Sequence, residues 1–589
     1  MSKLDKSSHL YQLRHSCSHA LAQAVLQMFP EAKLAIGPPI EKGFYYDFDL
    51  PRPLIPEDLA ILEKKMKEII HEKQTFVRRE ESIGKALEVL KKANQPYKVD
   101  LVEGWKKDGS TSVSFYENVD RHGTVKFVDL CEGNHVENMG EIKAVKLLHT
   151  AGAYWRGDEK NPMLQRIYGT CFETKEELNT YLQQLEEAKK RDHKILGKQL
   201  ELFAHSALVG GGLPLFLPKG TQLRENLMNF ITKEKKARGY KFVTIPHIAK
   251  DELYMRSGHL GKYDAMMPIM ETEDGDRLVM KAMNCPHHFE LYKAQAHSYR
   301  SLPLRYAENT VVYRNEKSGE INGLLRVRAL TQDDTHHFVR YNQIASEIDM
   351  ILGLMQKVYA RFGFTKYRAR VSTRDLNNPD KYFGTDEVWN MAEKNLIEGV
   401  QRWGAEYFIG EGEAAFYGPK IDIMVEDALG REWQLTTVQM DFIQPKNFEL
   451  TYTNEEGKDE YVAVLHVAIY GSFERFMAII IEQFGGAFPS WLAPVQAKLL
   501  PVSDAFLEYA HTIREILENN DIRIEVDDAN DTLGKKIRNA ELQKVPYMLV
   551  IGQKEMDEQK IAVRDYATKK QEVMSVMEFV EKIKAEAEA

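Results

Sequence analysis

Cys285, His336 and His466 supply one thiol and two imidazoles, a donor set that Zn2+ accepts readily while leaving a fourth position open. Two of them fall within residues 283–338. That stretch reads Met283-Asn284-Cys285-Pro286-His287-His288, then Tyr313-Arg314-Asn315-Glu316, Arg326-Val327-Arg328 and Thr331-Gln332-Asp333-Asp334-Thr335-His336. A soft metal ligand, an arginine suited to phosphate and a carboxylate pair beside a histidine imply metal, nucleotide and polar substrate together. Taken singly, each has an ordinary alternative. A buried free cysteine behaves as a small hydrophobe, histidine more often packs than ligates, and an Arg-Asn-Glu turn reads as an exposed salt bridge. Spacing alone does not join the three donors.

A second constellation lies near the start. His15 and His19 are four apart, so a helix places both on one face, and Cys131 and His135 repeat that spacing in Asp129-Leu130-Cys131-Glu132-Gly133-Asn134-His135. On residue types alone, this is a zinc hydrolase site or a helix whose histidines cap and solvate it.

The elements that must position these residues are legible in outline. A chain of 589 residues implies about four domains of roughly 150 each. With 43% hydrophobic and 28% charged residues, each can bury a core, as a soluble globular protein does. The start, Met1-Ser2-Lys3-Leu4-Asp5-Lys6, has no apolar signal core, and the longest apolar run, 476–481, falls short of the ~18 residues of a membrane span. A cytoplasmic protein without membrane contact is expected. The four cysteines, 17, 131, 171 and 285, contain no Cys-x-x-Cys pair and form no disulfide framework, so a metal must rely mostly on the 18 histidines. A net charge of −9 excludes a wholly basic nucleic-acid coat but leaves room for a local basic surface.

In residues 8–29, Leu10, Leu13, Cys17, Leu21, Ala24 and Met28 recur at three to four, which predicts an amphipathic helix capped by Ser7 or Ser8. A strand is expected over 43–48, and mixed α+β structure to about Phe172. Residues 175–200, dense in Glu, Lys, Gln and Leu, read as an exposed connecting helix with a boundary near 193. From there to about 490, strands at 215–217, 311–314 and 465–469 alternate with helices at 224–238 and 344–362. After Pro494 the succession 498–502, 506–519, 522–526, 533–544 and 547–551 predicts a small α/β sheet domain with some parallel pairing.

Three segments resemble the motifs of class II aminoacyl-tRNA synthetases. Tyr313-Arg314-Asn315-Glu316 closes a strand, 317–323 forms a polar loop and 324–329 opens another strand, as in motif 2. Gly471-Ser472-Phe473-Glu474-Arg475-Phe476 begins a helix, as in motif 3, and 221–246 is similar to motif 1. Met283-Asn284-Cys285-Pro286, Thr331-Gln332-Asp333-Asp334 with His336, and His466 narrow the resemblance to the threonyl-tRNA synthetase family. Asp129-Leu130-Cys131 with Gly133 and His135, Ala151-Gly152-Ala153-Tyr154-Trp155-Arg156-Gly157 and Gln165-Arg166-Ile167-Tyr168-Gly169-Thr170 extend it over nearly the whole chain. The resemblance implies a multidomain α+β and α/β fold. An α+β editing domain would span 1–175 and a linker helix 176–193. A class II catalytic domain, an antiparallel sheet with helices, would span 194–490, and an α/β anticodon-binding domain 491–589.

The implied activity is ATP-dependent ligation of L-threonine to tRNA(Thr) by a homodimer, with Mg2+ accompanying ATP and one Zn2+ per subunit. In the family pattern Arg314 takes the α-phosphate, Glu316 the adenine side and Arg475 the terminal phosphates, while Arg326, Tyr417, Gln434 and Gln439 complete the catalytic site. A fixed guanidinium with Mg2+ offsets charge growing on phosphoryl oxygens in a water-poor cleft. Asp334 would hydrogen-bond the threonine hydroxyl and Gln332 line the pocket. His259 is either a proton acceptor in transfer to tRNA or a loop histidine. Zinc would read the amino group and hydroxyl of threonine, and a site built around that oxygen rejects valine by roughly 10⁴-fold or more.

Serine carries both groups, and one lost methyl is worth only ~1 to 3 kcal/mol of discrimination, so a second, hydrolytic site is required. By resemblance, His15, His19, Cys131 and His135, with Lys98 and Asp129, clear seryl-tRNA without a metal, Cys131 positioning rather than attacking. Asn530, Glu555 and Arg564 match positions that read anticodon bases. Lys535-Lys536 and Arg538 either track phosphate or form a solvated face. The ubiquitin-like domain that opens many bacterial members is expected to be absent. His287-His288 stands where Gly-His is usual, the extra histidine being expected to point away from zinc, and Glu132 and Asn134 replace Arg and Pro. Two rivals, a non-catalytic paralogue and a free-standing aminoacyl-tRNA hydrolase, are disfavoured. The first need not keep Arg314, Glu316, Arg475 and three ligands together, and the second has little use for some 400 further residues.

Overall fold

The computed structural model describes residues 5–158 and 160–588. Of the start read for a signal core, Met1, Ser2, Lys3 and Leu4 lie outside the described residues. The chain divides into two compact units, Met1–Glu186 and Glu187–Ala589.

The first unit runs α1 (His9–Met28), β1 (Gly43–Asp49), α2 (Pro56–His71), β2 (Thr75–Ser82), α3 (Pro96–Lys107), β3 (Ser112–Val119), β4 (Val125–Leu130), β5 (Ala144–Tyr154) and β6 (Met163–Phe172). Ser8 sets the start of α1, its hydroxyl accepting the Tyr11 N–H at 3.3 Å. Leu13, Cys17, Leu21 and Ala24 are buried against α2 and the antiparallel sheet β1-β6-β5. A second antiparallel sheet, β2-β3-β4, ends at Leu130, so Cys131 and His135 ride on the loop that leaves it.

The expected connecting helix is two helices, α4 (Lys175–Arg191) and α5 (His193–Gln199). Asp192 leaves helical geometry and caps the second, its carboxylate accepting the Lys194 N–H at 2.8 Å.

The second unit continues with α6 (Pro218–Lys236), β7 (Lys241–Phe242), α7 (Cys285–Lys293), β8 (Leu304–Tyr313), β9 (Ala329–Val339), α8 (Ile344–Arg361), β10 (Tyr367–Thr373), α9 (Asp386–Trp403), β11 (Tyr407–Glu411), β12 (Lys420–Glu426), β13 (Glu432–Asp441), β14 (Ala463–Ala468) and α10 (Phe473–Gln483). Eight strands form one sheet in the order β7-β8-β9-β14-β13-β12-β10-β11. The inner neighbours are antiparallel, and β7 and β11 join the edges in parallel. Side chains alternate across it. Val438, Met440, Leu465 and Val467 face a core shared with α8, α9 and α10, which leaves Gln439 and His466 on the opposite face. Each buried aliphatic side chain is worth roughly 1.5–3 kcal/mol, so a one-residue slip, which would expel the whole set, is strongly resisted.

One expected strand is displaced. The ladder with β8 begins only at Ala329, not at 324, because the Arg328 N–H is taken by the Gly212 carbonyl at 2.7 Å. Gly212, at φ +75°, has no room for a side chain: a Cβ would sit 3.0 Å from the Arg328 nitrogen.

After these come β15 (Ala497–Pro501), α11 (Leu507–Glu518), β16 (Ile524–Val526), α12 (Leu533–Leu542), β17 (Tyr547–Ile551), β18 (Lys560–Asp565), β19 (Gln571–Ser575) and α13 (Val576–Glu588). β15 pairs in parallel with β16 and β17, and β18 and β19 extend the sheet antiparallel. Among the described residues no helix is long and apolar enough to cross a membrane.

Candidate functional site

Adjacent strands carry the central site in one row. His336 on β9 is the register partner of His466 on β14, and His466 that of Gln439 on β13. The two-residue strand period puts Gln332 and Asp334 on the face of His336. Cys285 arrives from α7, and the preceding Asn284 donates from Nδ2 to Asp334 Oδ2 at 2.9 Å. The donor atoms of Cys285, His336 and His466 lie within 4.8 Å of one another, all on buried residues.

The outer contacts fit a metal. His466 Nε2–H donates to Asp441 Oδ2 at 2.9 Å, and the Nδ1 atoms of His336 and His288 are 2.8 Å apart, so each of the two candidate histidines keeps its other ring nitrogen. Burial, then the nearness of His466 and His288, holds His336 well below the usual imidazole range and therefore neutral. Burial also pushes the Cys285 thiol up, ahead of the neighbouring Asp334 and Asp441 charges, so a thiolate there calls for a cation. His287 stays outside the donor cluster, buried beside Tyr254, and burial followed by Lys281 drives it down to about 4.

The donors open onto a cleft of about 430 Å³ whose walls include Gln332, Asp334, Tyr417, Gln434 and Gln439, and also Arg314, Glu316, Arg326 and Arg475. Arg326 Nε donates to Glu316 Oε2 at 2.9 Å, and its Nη2 lies 2.8 Å from Glu320. Arg475 donates from Nε to the Leu325 carbonyl at 3.0 Å; burial, then Arg314 and Arg326, lowers its proton affinity. Guanidinium groups that repel one another across a cleft favour an anion between them. The Tyr417 hydroxyl donates to Gln439 Oε1 at 3.1 Å, while Gln434 is held by Asp422 at 2.7 Å and Arg370 at 3.0 Å. His259 is buried beside Tyr417, with Nδ1 2.8 Å from Ser257 Oγ, and burial drives it down to about 3.

Sequence reasoning missed Asp441, Tyr263 and Lys420, and took Asp333 only as half of a carboxylate pair. Asp441 lies two residues beyond Gln439, so strand alternation carried a signal for it. Tyr263 and Lys420 line the cleft from segments without a motif. Asp333, buried below the row, meets Lys235 Nζ at 2.9 Å and accepts the N–H groups of Ile469, Tyr470 and Gly471 at 2.9, 3.0 and 3.1 Å. It clamps the turn that leads into α10.

In the first unit, the ligating atoms of His15, His19, Cys131 and His135 lie within 4.8 Å of one another. Cys131 Sγ is 3.3 Å from His15 Nε2 and 3.4 Å from His135 Nε2, and the Gly133 N–H donates to it at 3.2 Å. Burial pushes the thiol up to about 12 and drives His15 down to about 3 and His19 to about 4. All are neutral at physiological pH, which makes Cys131 a poor nucleophile. Asp129 bonds Lys98 Nζ at 2.7 Å and the Tyr46 hydroxyl at 2.6 Å. The departures Glu132 and Asn134 both reach Lys6: Asn134 Nδ2 donates to its carbonyl at 2.9 Å, and Glu132 pairs with its ammonium at 4.0 Å.

Around the carboxyl-terminal sheet, Asn530 is exposed in a loop, Glu555 accepts the Gly552 N–H at 3.0 Å and Arg564 meets Glu541 at 3.3 Å. Lys536 corrects an expectation. It is buried and donates to the Asp527 and Pro501 carbonyls at 2.9 and 3.1 Å, so it holds the fold and cannot follow phosphate.

Comparison with known proteins gives the family. Residues 269–484 match the tRNA synthetase class II core domain (G, H, P, S and T), 496–586 the anticodon binding domain, and 113–168 the threonyl and alanyl tRNA synthetase second additional domain. The threonine–tRNA ligase of Geobacillus sp. (strain WCH70) is 46% identical over 98% of this chain and 88% of its own, and that of Gloeobacter violaceus 49% over 94% and 88%. The crystal structure of the RNA binding domain of threonyl-tRNA synthetase from Cryptosporidium parvum Iowa II matches 67% of this chain and 98% of its own, with a TM-score of 0.65 and 37% identity. A putative threonyl-tRNA synthetase from Aeropyrum pernix matches 68% and 94%, with a TM-score of 0.59 and 30% identity. The chain therefore belongs to the threonine–tRNA ligase family, and is a class II aminoacyl-tRNA ligase, ATP- and Mg2+-dependent, whose parts serve charging and editing.

Proposed function

We propose that the central cleft holds L-threonine on Zn2+ bound by Cys285, His336 and His466, beside ATP held by Arg314, Glu316, Arg326 and Arg475. The observation that carries this reading is one cleft walled by both the thiol-imidazole cluster and the arginines. Bound Zn2+ supplies Lewis-acid coordination for an amino group and a hydroxyl, which threonine has and valine lacks.

Asp334, fixed by Asn284, accepts a hydrogen bond from the threonine hydroxyl, and Gln332, Tyr417, Gln434 and Gln439 wall the amino acid in. The threonine carboxylate then bonds to the α-phosphorus as the bond to the β-phosphate oxygen breaks and pyrophosphate leaves. Arg314 stabilises charge on the α-phosphate and Arg475 on the leaving phosphates. In the second step the terminal ribose hydroxyl of tRNA(Thr) attacks the activated carbonyl and AMP leaves. His259, buried beside Tyr417, is the group that takes the hydroxyl proton.

In the first unit, the neutral imidazoles of His15, His19 and His135 orient water against the ester of seryl-tRNA, with Lys98 and Asp129 holding the substrate and Cys131 positioning it. Asn530, Glu555 and Arg564 read the anticodon. The working form is a homodimer in the cytoplasm. ATP–pyrophosphate exchange with threonine, serine and valine, run alongside zinc analysis of the wild type and Cys285→Ala, tests the central reading. Loss of zinc together with loss of threonine-dependent exchange is expected; full exchange by a metal-free variant overturns the zinc role. For editing, His19→Ala is expected to leave seryl-tRNA uncleared.

A further inference from the structure

We infer that His193, at the first position of α5, is a positioning residue for the ATP-binding arginines. This rests on the reading of Arg326 and Arg475 as ATP contacts. His193 is 1% exposed and lies more than 100 residues in sequence from the segments that carry the cleft's arginines.

Its two ring nitrogens are committed in opposite directions. Nε2 accepts the Leu324 N–H at 3.1 Å, which leaves Nδ1 to carry the proton and donate it to Glu482 Oε1 at 2.7 Å. The His193 backbone N–H reaches the same Glu482 oxygen at 2.9 Å, and Arg431 pairs with the other. Asp192, His193 and Glu482 thus form a cluster of metal-ligating types, but with both imidazole nitrogens occupied and a guanidinium on the carboxylate it is not a metal site.

Both partners lead to the ATP arginines. Leu324 begins the segment that carries Arg326, and the next residue, Leu325, offers its carbonyl to Arg475 Nε at 3.0 Å. Glu482 stands on α10, seven residues and about two turns beyond Arg475, on the same helix face. A closed ring results: His193, the Leu324 amide, the Leu325 carbonyl, Arg475, the body of α10, Glu482 and back to His193. The approach is close, since a Cβ on Gly323, at φ +51°, would sit 2.2 Å from His193 Nε2. The segment 324–328 has no ladder partner on β8 before Ala329, so without His193 the Leu324 amide would be buried and unpaired. A stretch that must aim guanidinium groups at phosphate is therefore fastened at its start by an imidazole from the connecting segment, the sheet holding only its end, where the Arg314 N–H bonds the Arg328 carbonyl at 2.8 Å.

Two substitutions separate the two bonds. Gln at 193 can place an amide oxygen where Nε2 accepts from Leu324, whereas Asn reaches only as far as Nδ1 and keeps the Glu482 bond alone. In ATP–pyrophosphate exchange, His193→Asn is expected to raise the KM for ATP about tenfold, the effect of losing one such bond at ~1.4 kcal/mol. The KM for threonine, zinc content and seryl-tRNA hydrolysis should stay within twofold, and His193→Gln should recover most of the loss. An ATP KM within twofold of wild type in His193→Asn, or equal changes in both KM values, overturns the proposal. Hydrogen exchange in the wild-type enzyme gives a reading that needs no variant: the Leu324 amide is expected to be protected, and rapid exchange there overturns the proposal as well. Arg475→Ala runs in parallel. If it leaves ATP use unchanged, the reading of the ATP site has failed; if it abolishes ATP use while His193→Asn does not, only the role of His193 has failed.

Discussion

The Nε2–H of His466 donates to Asp441 Oδ2 at 2.9 Å, and this bond leaves Nδ1 as the ring nitrogen open to a metal. Asp441→Asn replaces the carboxylate with a weaker, reversible partner. Zinc affinity, read by competition with a chromogenic chelator, is expected to fall about 10- to 100-fold while the fold is kept. Unchanged affinity would show that the ring is fixed by other means.

Asp334 is aimed by Asn284, the residue just before Cys285. If it accepts the threonine hydroxyl, Asp334→Ala removes a hydrogen bond to a charged acceptor, worth ~1.5–3 kcal/mol, or roughly 10- to 100-fold in threonine KM. Preference for threonine over valine should narrow by a similar factor. Asn284→Ala should produce a weaker version of the same change. Competitive exchange with the two amino acids measures both, and an unaltered ratio argues against hydroxyl recognition by Asp334.

Burial holds His15 at about 3 and His19 at about 4, whereas unfolded histidine titrates near 6.5. Between about pH 6.5 and 4 the unfolded chain therefore binds protons that the folded site refuses, and stability falls as pH drops through that window. The urea midpoint of the amino-terminal transition in the full chain should decrease accordingly, with a slope of at most about 1.4 kcal/mol per pH unit for each histidine. His19→Gln should flatten it. Because the imidazoles are already neutral, seryl-tRNA hydrolysis at fixed substrate should not drop between pH 8 and 6 through their protonation. A titration near 6.5 in that rate would contradict the buried, neutral site.

Lys535 and Lys536 are neighbours with opposite surroundings. Lys535 is exposed beside Asp531 at 2.8 Å, whereas Lys536 is buried on two carbonyls. Lys536→Ala is expected to lower the denaturation midpoint of the carboxyl-terminal domain by leaving those acceptors unpaired, about 1–3 kcal/mol, with tRNA affinity affected only through folding. Lys535→Ala should leave stability within about 0.5 kcal/mol. Equal effects on stability would show that the burial of Lys536 does not matter.

Several elements could be read directly because their causes are local. Ser8 and the three-to-four spacing of Leu13, Cys17 and Leu21 define α1, and the alternation through 497–551 defines the carboxyl-terminal sheet. Where long-range partners compete, the local reading fails. The segment 324–328 has strand-like composition but gives its Arg328 amide to Gly212 and its Leu324 amide to His193, and an apparently continuous connecting helix breaks because Asp192 caps a new one.

The motifs around Cys285, Arg314, His336, His466 and Arg475 were enough, in sequence alone, to name the family by resemblance, while the residue types by themselves left each donor an ordinary alternative. Only the tertiary structure decided that the donors meet. Strand register sets His336 beside His466 and Gln439, and α7 delivers Cys285 to them. It alone reveals the partner His288 and the ring through His193, because a hydrogen bond between residues distant in the chain leaves no periodicity in the sequence that forms it.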